Sequence, residues 1–269
     1  MASGVGKNVF ITGANRGIGY TMVEELAKNY DVKRIFAGCR NPDGAESLIA
    51  LKNQYPSVHL IKVDVQDDIS IKNAAEEVGK ILGEENLNLL INNAGIAENV
   101  FDENSGGNFE APDRDYYARH FDVNIIGVVM VSSAFLPMLK KAAAEGERSL
   151  LVNISSSMAS ISIGSAYKIL KNGNITYSLT KIALNHYSRL TSKYLESAGV
   201  IVAAIAPGWV ATDMGSQLPI AGFNVDPKYS QEKPLTPEES VQPLMKTIAE
   251  LKSENSGSYM NRFGEILPD

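Results

Sequence analysis

The sequence has one cysteine, only three histidines and no long apolar run. Cys39 cannot form an internal disulfide, which is typical of a reducing compartment, so we expect a cytoplasmic protein. His59, His120 and His186 do not have metal-ligand spacing, and no metal is expected. No apolar stretch approaches the ~18 residues of a membrane span, and residues 1–7 lack an apolar signal core. We therefore expect neither membrane association nor a secretory signal.

Basic charge is also scarce. The chain of 269 residues has a formal net charge of −6 and a pI of about 5.2, and no basic patch is visible, so nucleic acid is not an expected partner. Hydrophobic residues make up 44% and charged residues 21%, which is ordinary for a globular protein able to bury a sizeable core. A length of this order is compatible with one α/β domain spanning residues 1–269.

Short apolar runs alternate with segments of helical periodicity over the first 206 residues. The runs are continuously apolar, as expected for parallel strands covered by helices on both faces. The order predicts an α/β fold with a doubly wound parallel sheet, the Rossmann dinucleotide-binding pattern. Strands are predicted at residues 8–11, 34–39, 58–63, 87–91, 150–154 and 200–206. Helices are predicted at residues 17–29, 42–54, 69–82, 113–131, from there to 145, and at 174–198.

A glycine-rich turn links the first predicted strand to the first helix. Gly13, Gly17 and Gly19 have the spacing Gly-x-x-x-Gly-x-Gly. Glycines let the backbone turn tightly and approach a pyrophosphate, which then meets a helix N-terminus. The candidate cofactor-binding residues of this loop are Gly13, Asn15, Arg16, Gly17, Ile18 and Gly19.

Two arginines bear on the choice of cofactor. An acidic residue at the end of the second strand favours NAD, whereas an arginine there accommodates the 2′-phosphate of NADP. Here that strand ends in Arg40, and Arg16 lies in the glycine loop, while the nearest acid, Asp31, precedes the strand and lies at its wrong end. The sequence therefore predicts NADP(H), unless the two arginines are ordinary solvated side chains.

Four further motifs follow predicted strands or open a predicted helix, and they are residues 92–95 (Asn-Asn-Ala-Gly), 153–156 (Asn-Ile-Ser-Ser), 177–181 (Tyr-x-x-x-Lys) and 207–212 (Pro-Gly-Trp-Val-Ala-Thr). With the glycine loop, these motifs resemble the short-chain dehydrogenase/reductase family over nearly the whole chain. Trp209, Arg16 and Arg40 look most like its NADPH-dependent carbonyl-reductase branch, which includes sniffer and C-factor-like proteins.

The chemistry of the Tyr-x-x-x-Lys motif also follows from its spacing. A tyrosine four residues before a lysine shares one face of a helix with it. A nearby ammonium favours the phenolate and is expected to lower the tyrosine pKa from about 10. The resemblance assigns proton exchange with the substrate oxygen to Tyr177, and gives Lys181 the roles of lowering that pKa and holding the nicotinamide ribose.

The resemblance also supplies partners for this pair. Ser156 would hydrogen-bond the substrate oxygen, with Ser155 as the alternative, and Asn124 would hold a water that links Lys181 to solvent. A second match to the motif, Tyr167 with Lys171, is followed by an Asn-Gly-Asn turn signal, which disfavours a stable helix there. The catalytic set is therefore predicted to be Asn124, Ser156, Tyr177 and Lys181.

The remaining cofactor contacts come from the ends of the other strands. Asp64 and Val65 look like an adenine-binding pair, although a capping aspartate is the alternative for Asp64. Thr212 would touch the nicotinamide carboxamide. The other residues expected to line or shape the cofactor site are Asn93, Ala94, Gly95, Tyr177, Lys181, Pro207, Gly208 and Val210.

These features predict an NADPH-dependent oxidoreductase that transfers a hydride between nicotinamide and a small carbonyl or alcohol substrate. The alternative is an NADP(H)-binding regulatory or redox-sensing protein with little turnover. Residues 214–237 are expected to form a substrate lid, and 98–112 and 162–173 resemble loop insertions. Relatives often assemble through the helices near 113–145 and 174–198, which predicts a homo-oligomer, a dimer or tetramer, unless those apolar stripes are buried on the sheet.

Overall fold

A seven-stranded parallel sheet forms the centre of the computed structural model, which describes residues 4–98, 106–164, 175–215 and 233–268. The strand order is β3-β2-β1-β4-β5-β6-β7, so the direction of winding reverses between β1 and β4. The strands are β1 (Asn8–Thr12), β2 (Arg34–Cys39), β3 (Val58–Lys62), β4 (Leu89–Asn92), β5 (Leu150–Ile154), β6 (Ile201–Ala206) and β7 (Tyr259–Asn261). The predicted doubly wound α/β domain is confirmed.

Eight helices flank the sheet in the described ranges. They are α1 (Gly17–Asn29), α2 (Glu46–Gln54), α3 (Asp68–Leu82), α4 (Arg114–Phe121), α5 (Gly127–Ala144), α6 (Ile161–Gly164), α7 (Ile175–Leu195) and α8 (Pro237–Glu250). A π-helical turn, Asp122–Ile126, joins α4 to α5 without a break. The two helices predicted between residues 113 and 145 are therefore one interrupted helix.

Side chains of the central strands alternate between two cores. Val9 and Ile11 of β1 belong to a core that includes residues of α1, α2 and α8. Phe10 points the opposite way, into a core shared with α3, α5 and α7, where its ring lies 4.4 Å from that of Phe135. Because both faces are buried, the strands are mostly apolar, which explains their long apolar runs. Two of the polar side chains they do contain, Asn92 and Asn153, hydrogen-bond to each other.

The helix Arg114–Ala144 is long and apolar enough, by length and composition alone, to cross a membrane. In the fold its apolar face packs on the sheet, where Val131, Phe135 and Leu139 have no exposed surface. The core helix of a globular protein passes the same test, so this helix gives little support to a membrane role.

The carboxyl ends of the strands meet at one edge of the sheet, where ligands bind in open α/β folds. Most of the predicted lid lies outside the described residues, as do residues 99–105 and 165–173 of the two predicted insertions. The two ends of the lid segment are described. Val210 pairs with Leu235 in a parallel bridge, so the chain leaves and re-enters this edge at one point.

Candidate active site

A cavity of about 980 Å³ opens at the carboxyl edge of the sheet. Every predicted site residue lines it except Gly19 and Asn124. The predicted residues on its walls are Gly13, Asn15, Arg16, Gly17, Ile18, Arg40, Asp64, Val65, Asn93, Ala94, Gly95, Ser156, Tyr177, Lys181, Pro207, Gly208, Val210 and Thr212. A cavity of this size is typical of small-molecule and cofactor sites.

The glycine loop is fixed by hydrogen bonds to the loop that follows β4. Thr12 Oγ1 accepts from the backbone N–H groups of Asn93 and Ala94, each at 3.0 Å. Asn93 Nδ2 donates to the carbonyls of Thr12 and Gly13 at 3.0 and 3.1 Å. Gly13 and Gly17 have positive φ values of 64° and 53°, a conformation that favours glycine. The Asn-Asn-Ala-Gly motif therefore holds the predicted phosphate loop in shape as well as lining the cavity.

Gly19 supports the loop from beneath, which is why it does not line the cavity. A Cβ atom there would lie 2.2 Å from the Gly13 carbonyl oxygen and 2.6 Å from Asn93 Nδ2. Only glycine lets α1 approach this closely, the role expected of the third glycine in a dinucleotide loop.

The two arginines have different surroundings. Arg40, at the end of β2, is exposed and forms no ion pair with any described residue. Arg16 Nη1 lies 2.9 Å from Asp213 Oδ2, in an exposed pair that joins the glycine loop to the loop after β6. Asp31 pairs with Lys7 at 2.8 Å, near the start of β1 and away from the cavity. The Arg16–Asp213 pair could not be predicted from the sequence, because no local pattern indicates a contact between residues that are 197 positions apart.

Asp64 forms an Asx-type turn, in which its Oδ1 accepts from the Gln66 N–H at 3.1 Å. The cap of α3 is Asp67, which accepts from the N–H groups of Ile69 and Ser70. The capping alternative for Asp64 is therefore wrong, and its place in the cavity wall leaves the adenine-binding role as a prediction.

Ser156, Tyr177 and Lys181 lie together on one wall of the cavity. Ser156 forms a hydrogen bond with the Tyr177 hydroxyl, and the Lys181 ammonium lies 5.6 Å from the centre of the Tyr177 ring. Lys181 Nζ donates to the Ile154 carbonyl at 2.8 Å. Ser155 instead donates to Asn185 Oδ1 at 2.6 Å. This arrangement favours Ser156 over Ser155 as the group beside the tyrosine.

Burial controls the ionisation of this pair. It raises the pKa of Tyr177 to about 12, and the hydrogen bond from Ser156 opposes that effect only in part. Burial also lowers the pKa of Lys181 to about 8. The lowered tyrosine pKa predicted from the neighbouring ammonium is thus not found here, because loss of hydration on burial is the largest effect on the Tyr177 hydroxyl.

Asn124 lies behind this wall, in the π-helical turn, and is 1% exposed. Its carboxamide accepts from the Ile96 N–H at 2.8 Å and donates to the Ile96 carbonyl at 2.9 Å. Its Nδ2 also donates to Thr180 Oγ1, whose hydroxyl donates to the Tyr177 carbonyl. π-Helical turns recur at functional sites. Here the turn fixes the loop after β4 to the first turns of α7, and the water predicted at Asn124 stays a prediction.

The end of β7 and the chain that follows it form a part of the cavity wall that was not predicted from the sequence. Asn261, Arg262, Phe263, Glu265 and Leu267 line the cavity, close to the wall that contains Ser156. β7 has only three residues, so its apolar pattern is too short to recognise. The signal that was available is the Thr-Pro-Glu-Glu sequence at residues 236–239, a capping-box pattern that indicates the start of a helix, α8, after β6. In a chain that alternates strands and helices, a helix at this place is expected to lead to a further strand.

Comparisons with known proteins agree with the fold and the motifs. The family model of the short chain dehydrogenases matches residues 7–220. An uncharacterized oxidoreductase of Schizosaccharomyces pombe is 33% identical over 265 residues, which cover 97% of this chain and 98% of that protein. The NADPH-bound carbonyl reductase from chicken fatty liver is 35% identical, with 98% and 99% coverage and a TM-score of 0.85.

The carbonyl reductase Sniffer of Drosophila melanogaster is 26% identical, with 98% and 99% coverage and a TM-score of 0.83. The two solved carbonyl reductases confirm the resemblance to the carbonyl-reductase branch of the family that the motifs predict. The chain belongs to the short-chain dehydrogenase/reductase family.

Proposed function

We propose that this NAD(P)-dependent oxidoreductase is an NADPH-dependent carbonyl reductase. The observation that carries the proposal is the hydrogen-bonded pair of Ser156 and Tyr177 beside Lys181, on one wall of the cavity. Arg40, which forms no ion pair with any described residue, lines the same cavity at its other end. The proposal is supported by the chicken relative, whose solved structure contains NADPH.

The residues present fit such a cofactor. Gly13 and Gly17 leave the backbone of the phosphate loop open at the start of α1, where a pyrophosphate is stabilised by the helix N-terminus. Arg40 would hold the 2′-phosphate, Asp64 and Val65 the adenine, Lys181 the nicotinamide ribose and Thr212 the carboxamide. When bound, NADPH supplies the hydride that reduces the carbonyl carbon.

Side chains of the protein bind the carbonyl oxygen of the substrate and supply the proton that it receives. Ser156 donates a hydrogen bond to the carbonyl oxygen and stabilises the charge that develops there. Tyr177 gives its hydroxyl proton to that oxygen, which becomes the alcohol, and is left as a phenolate. The Lys181 ammonium stabilises the phenolate until a proton returns to it, and the predicted water at Asn124 would bring that proton from solvent.

The ionisation of the pair predicts how reduction depends on pH. A Tyr177 pKa of about 12 keeps the phenol protonated, the form needed to reduce a carbonyl, throughout the neutral range. Lys181, with a pKa of about 8, is charged below that pH and loses its proton above it. We therefore expect kcat/KM for reduction at saturating NADPH to be constant below about pH 8 and to fall above it, when measured from about pH 6 to about pH 10.

Oxidation of the corresponding alcohol is the matched control for this profile. It needs the phenolate, so its rate is expected to rise with pH over the same range. A reduction rate that still increases above pH 8 would show that the loss of the Lys181 charge does not limit proton transfer.

The function itself is tested by NADPH oxidation with a panel of aldehydes, ketones and quinones. Turnover with any of them, lost in a variant lacking the Tyr177 hydroxyl, supports a reductase. Tight NADPH binding with no turnover across the panel would instead favour the NADP(H)-binding regulatory or sensing protein.

We also propose that the protein acts in the cytoplasm as a homo-oligomer, a dimer or a tetramer. Ile126, Leu179, Leu190 and Tyr194 are exposed near the start of α5 and along α7, the helices through which relatives assemble. Sedimentation at several protein concentrations would measure the oligomeric state, and a monomer throughout would contradict this proposal.

A further inference from the structure

The chain after β7 forms a tight hairpin at the edge of the cavity. Gly264 takes a positive φ of 81° at the turn, and Ile266 returns to form an antiparallel bridge with Met260. The Asn261 side chain accepts from two backbone N–H groups of the turn. Tyr259 donates its hydroxyl to the Ser156 carbonyl at 2.7 Å. The hairpin is therefore a fixed element, attached directly to the residue that lies beside Tyr177.

Arg262 lies on this hairpin and lines the cavity. It is half-buried, and its Nε, which is shielded from solvent, has no hydrogen-bond partner in the part of the chain that the structure describes. Its guanidinium lies 4.3 Å from the centre of the Phe263 ring, and no carboxylate within the described ranges is close enough to form an ion pair with it. The guanidinium therefore lies on the cavity wall with donors that no described residue satisfies.

The neighbouring carboxylates, those of Glu239 and Glu265, do not pair with the Arg262 guanidinium. Burial lowers the pKa of Arg262, and Glu239 opposes this effect only from a distance, because its carboxylate accepts from the Thr236 N–H at the start of α8. Glu265 accepts from Asn261 Nδ2 at 2.7 Å and is exposed. Arg148 is also half-buried, and its Nε likewise has no hydrogen-bond partner. Its Nη2, however, donates to the carbonyls of Ile248, Ala249 and Leu251. The terminal nitrogens of Arg262 have no such acceptor among the described residues.

The position of Arg262 separates it from the cofactor phosphate. Arg40 ends β2 and Arg262 follows β7, and four strands, β1, β4, β5 and β6, lie between them. Neighbouring strands are about 4.8 Å apart, so the two arginines serve opposite ends of the cavity. Arg262 is on the side of Ser156 and Tyr177, where the substrate must bind.

The cavity is also lined by apolar side chains, namely Met158, Ile163, Trp209, Phe263 and Leu267, and three of these, Met158, Ile163 and Leu267, pack in one cluster with Tyr259 of β7. We propose that Arg262 binds the carboxylate of an apolar or aromatic carbonyl substrate, so that the enzyme prefers oxo acids to neutral carbonyl compounds. A guanidinium recognises a carboxylate through two parallel hydrogen bonds, which suits a group with several free donors. This substrate class rests on the proposed carbonyl-reductase function.

The test compares para-carboxybenzaldehyde with its neutral methyl ester. The measured quantity is the ratio of kcat/KM for the acid to kcat/KM for the ester, at saturating NADPH. In Arg262→Gln we expect this ratio to fall by about tenfold or more relative to the unmodified protein, through a higher KM for the acid. Arg262→Lys, which keeps the charge without the planar fork, should restore part of the ratio.

Arg189→Gln is the matched control, because Arg189 is exposed on α7 and does not line the cavity. Its ratio should equal that of the unmodified protein. An unchanged ratio in Arg262→Gln, or an equal loss for acid and ester, would overturn the proposal and leave Arg262 a packing residue. If the unmodified protein reduces neither compound, the proposed function fails instead. Calorimetric titration of the NADP⁺-loaded protein with the acid then still tests whether Arg262 binds the carboxylate, because Arg262→Gln must weaken that binding.

Discussion

Replacing Tyr177 by phenylalanine is expected to lower kcat for carbonyl reduction by about 10²–10⁴-fold, the usual contribution of a general acid. The change removes one hydroxyl and leaves the ring, which packs beside Lys181, in place. NADPH binding should therefore stay within about threefold of the unmodified protein, since a ring of the same shape disturbs no backbone contact. Steady-state kinetics paired with cofactor titration measures both quantities.

Tyr167→Phe is the matched control, because Tyr167 begins the second Tyr-x-x-x-Lys match of the sequence. It should change substrate affinity at most. Tyr167 and Lys171 lie outside the described residues, so the choice between the two matches rests on the geometry of Tyr177. Full activity in Tyr177→Phe together with inactivity in Tyr167→Phe would overturn the assignment.

Tyr177 is suited to this role because of the helix that positions it. α7 is 21 residues long, and Leu184, Ser188 and Leu195 of its inner face are buried against the sheet. Tyr177 and Lys181 lie one turn apart on this helix, and Thr180 ties its first turns to Asn124. A proton donor must be held in place within fractions of an ångström, and a packed helix holds it better than a loop.

The fold was predictable where the pattern was long and simple. The first six strands begin and end within two residues of their predicted bounds, because burial on both faces demands unbroken apolar runs. Boundaries that depend on turns were less accurate. The predicted helix from residue 42 begins at Glu46, after a turn in which Gly44 N–H donates to the Asn41 side chain.

The site was predictable in composition but not in energetics. The motifs identify residues that do meet in one cavity, because the carboxyl ends of parallel strands share one edge of the sheet. The raised pKa of Tyr177 depends on how much protein surrounds its hydroxyl, which no spacing reveals. In the same way, the engagement of Asn124 by the Ile96 backbone is a tertiary contact across 28 residues.

Cofactor preference is the second property with a large expected effect. We expect the unmodified protein to bind NADPH at least about tenfold more tightly than NADH, which corresponds to about 1.4 kcal/mol. Arg40→Asp should abolish or reverse that preference, because a carboxylate repels the 2′-phosphate and accepts a hydrogen bond from the ribose hydroxyl of NADH. Calorimetric titration of both proteins with both cofactors measures the change.

Arg16 is expected to account for the part of the NADPH preference that remains when Arg40 is replaced. Its pair with Asp213 is exposed, and such pairs contribute at most about 1 kcal/mol, whereas hydrogen bonds to a charged group contribute about 1.5–3 kcal/mol. A bound 2′-phosphate should therefore draw Arg16 away from Asp213. Arg16→Ala should weaken NADPH binding while leaving NADH binding nearly unchanged, and the Arg40→Asp, Arg16→Ala double variant should favour NADH. Equal affinities of the unmodified protein for NADH and NADPH would show that neither arginine recognises the phosphate.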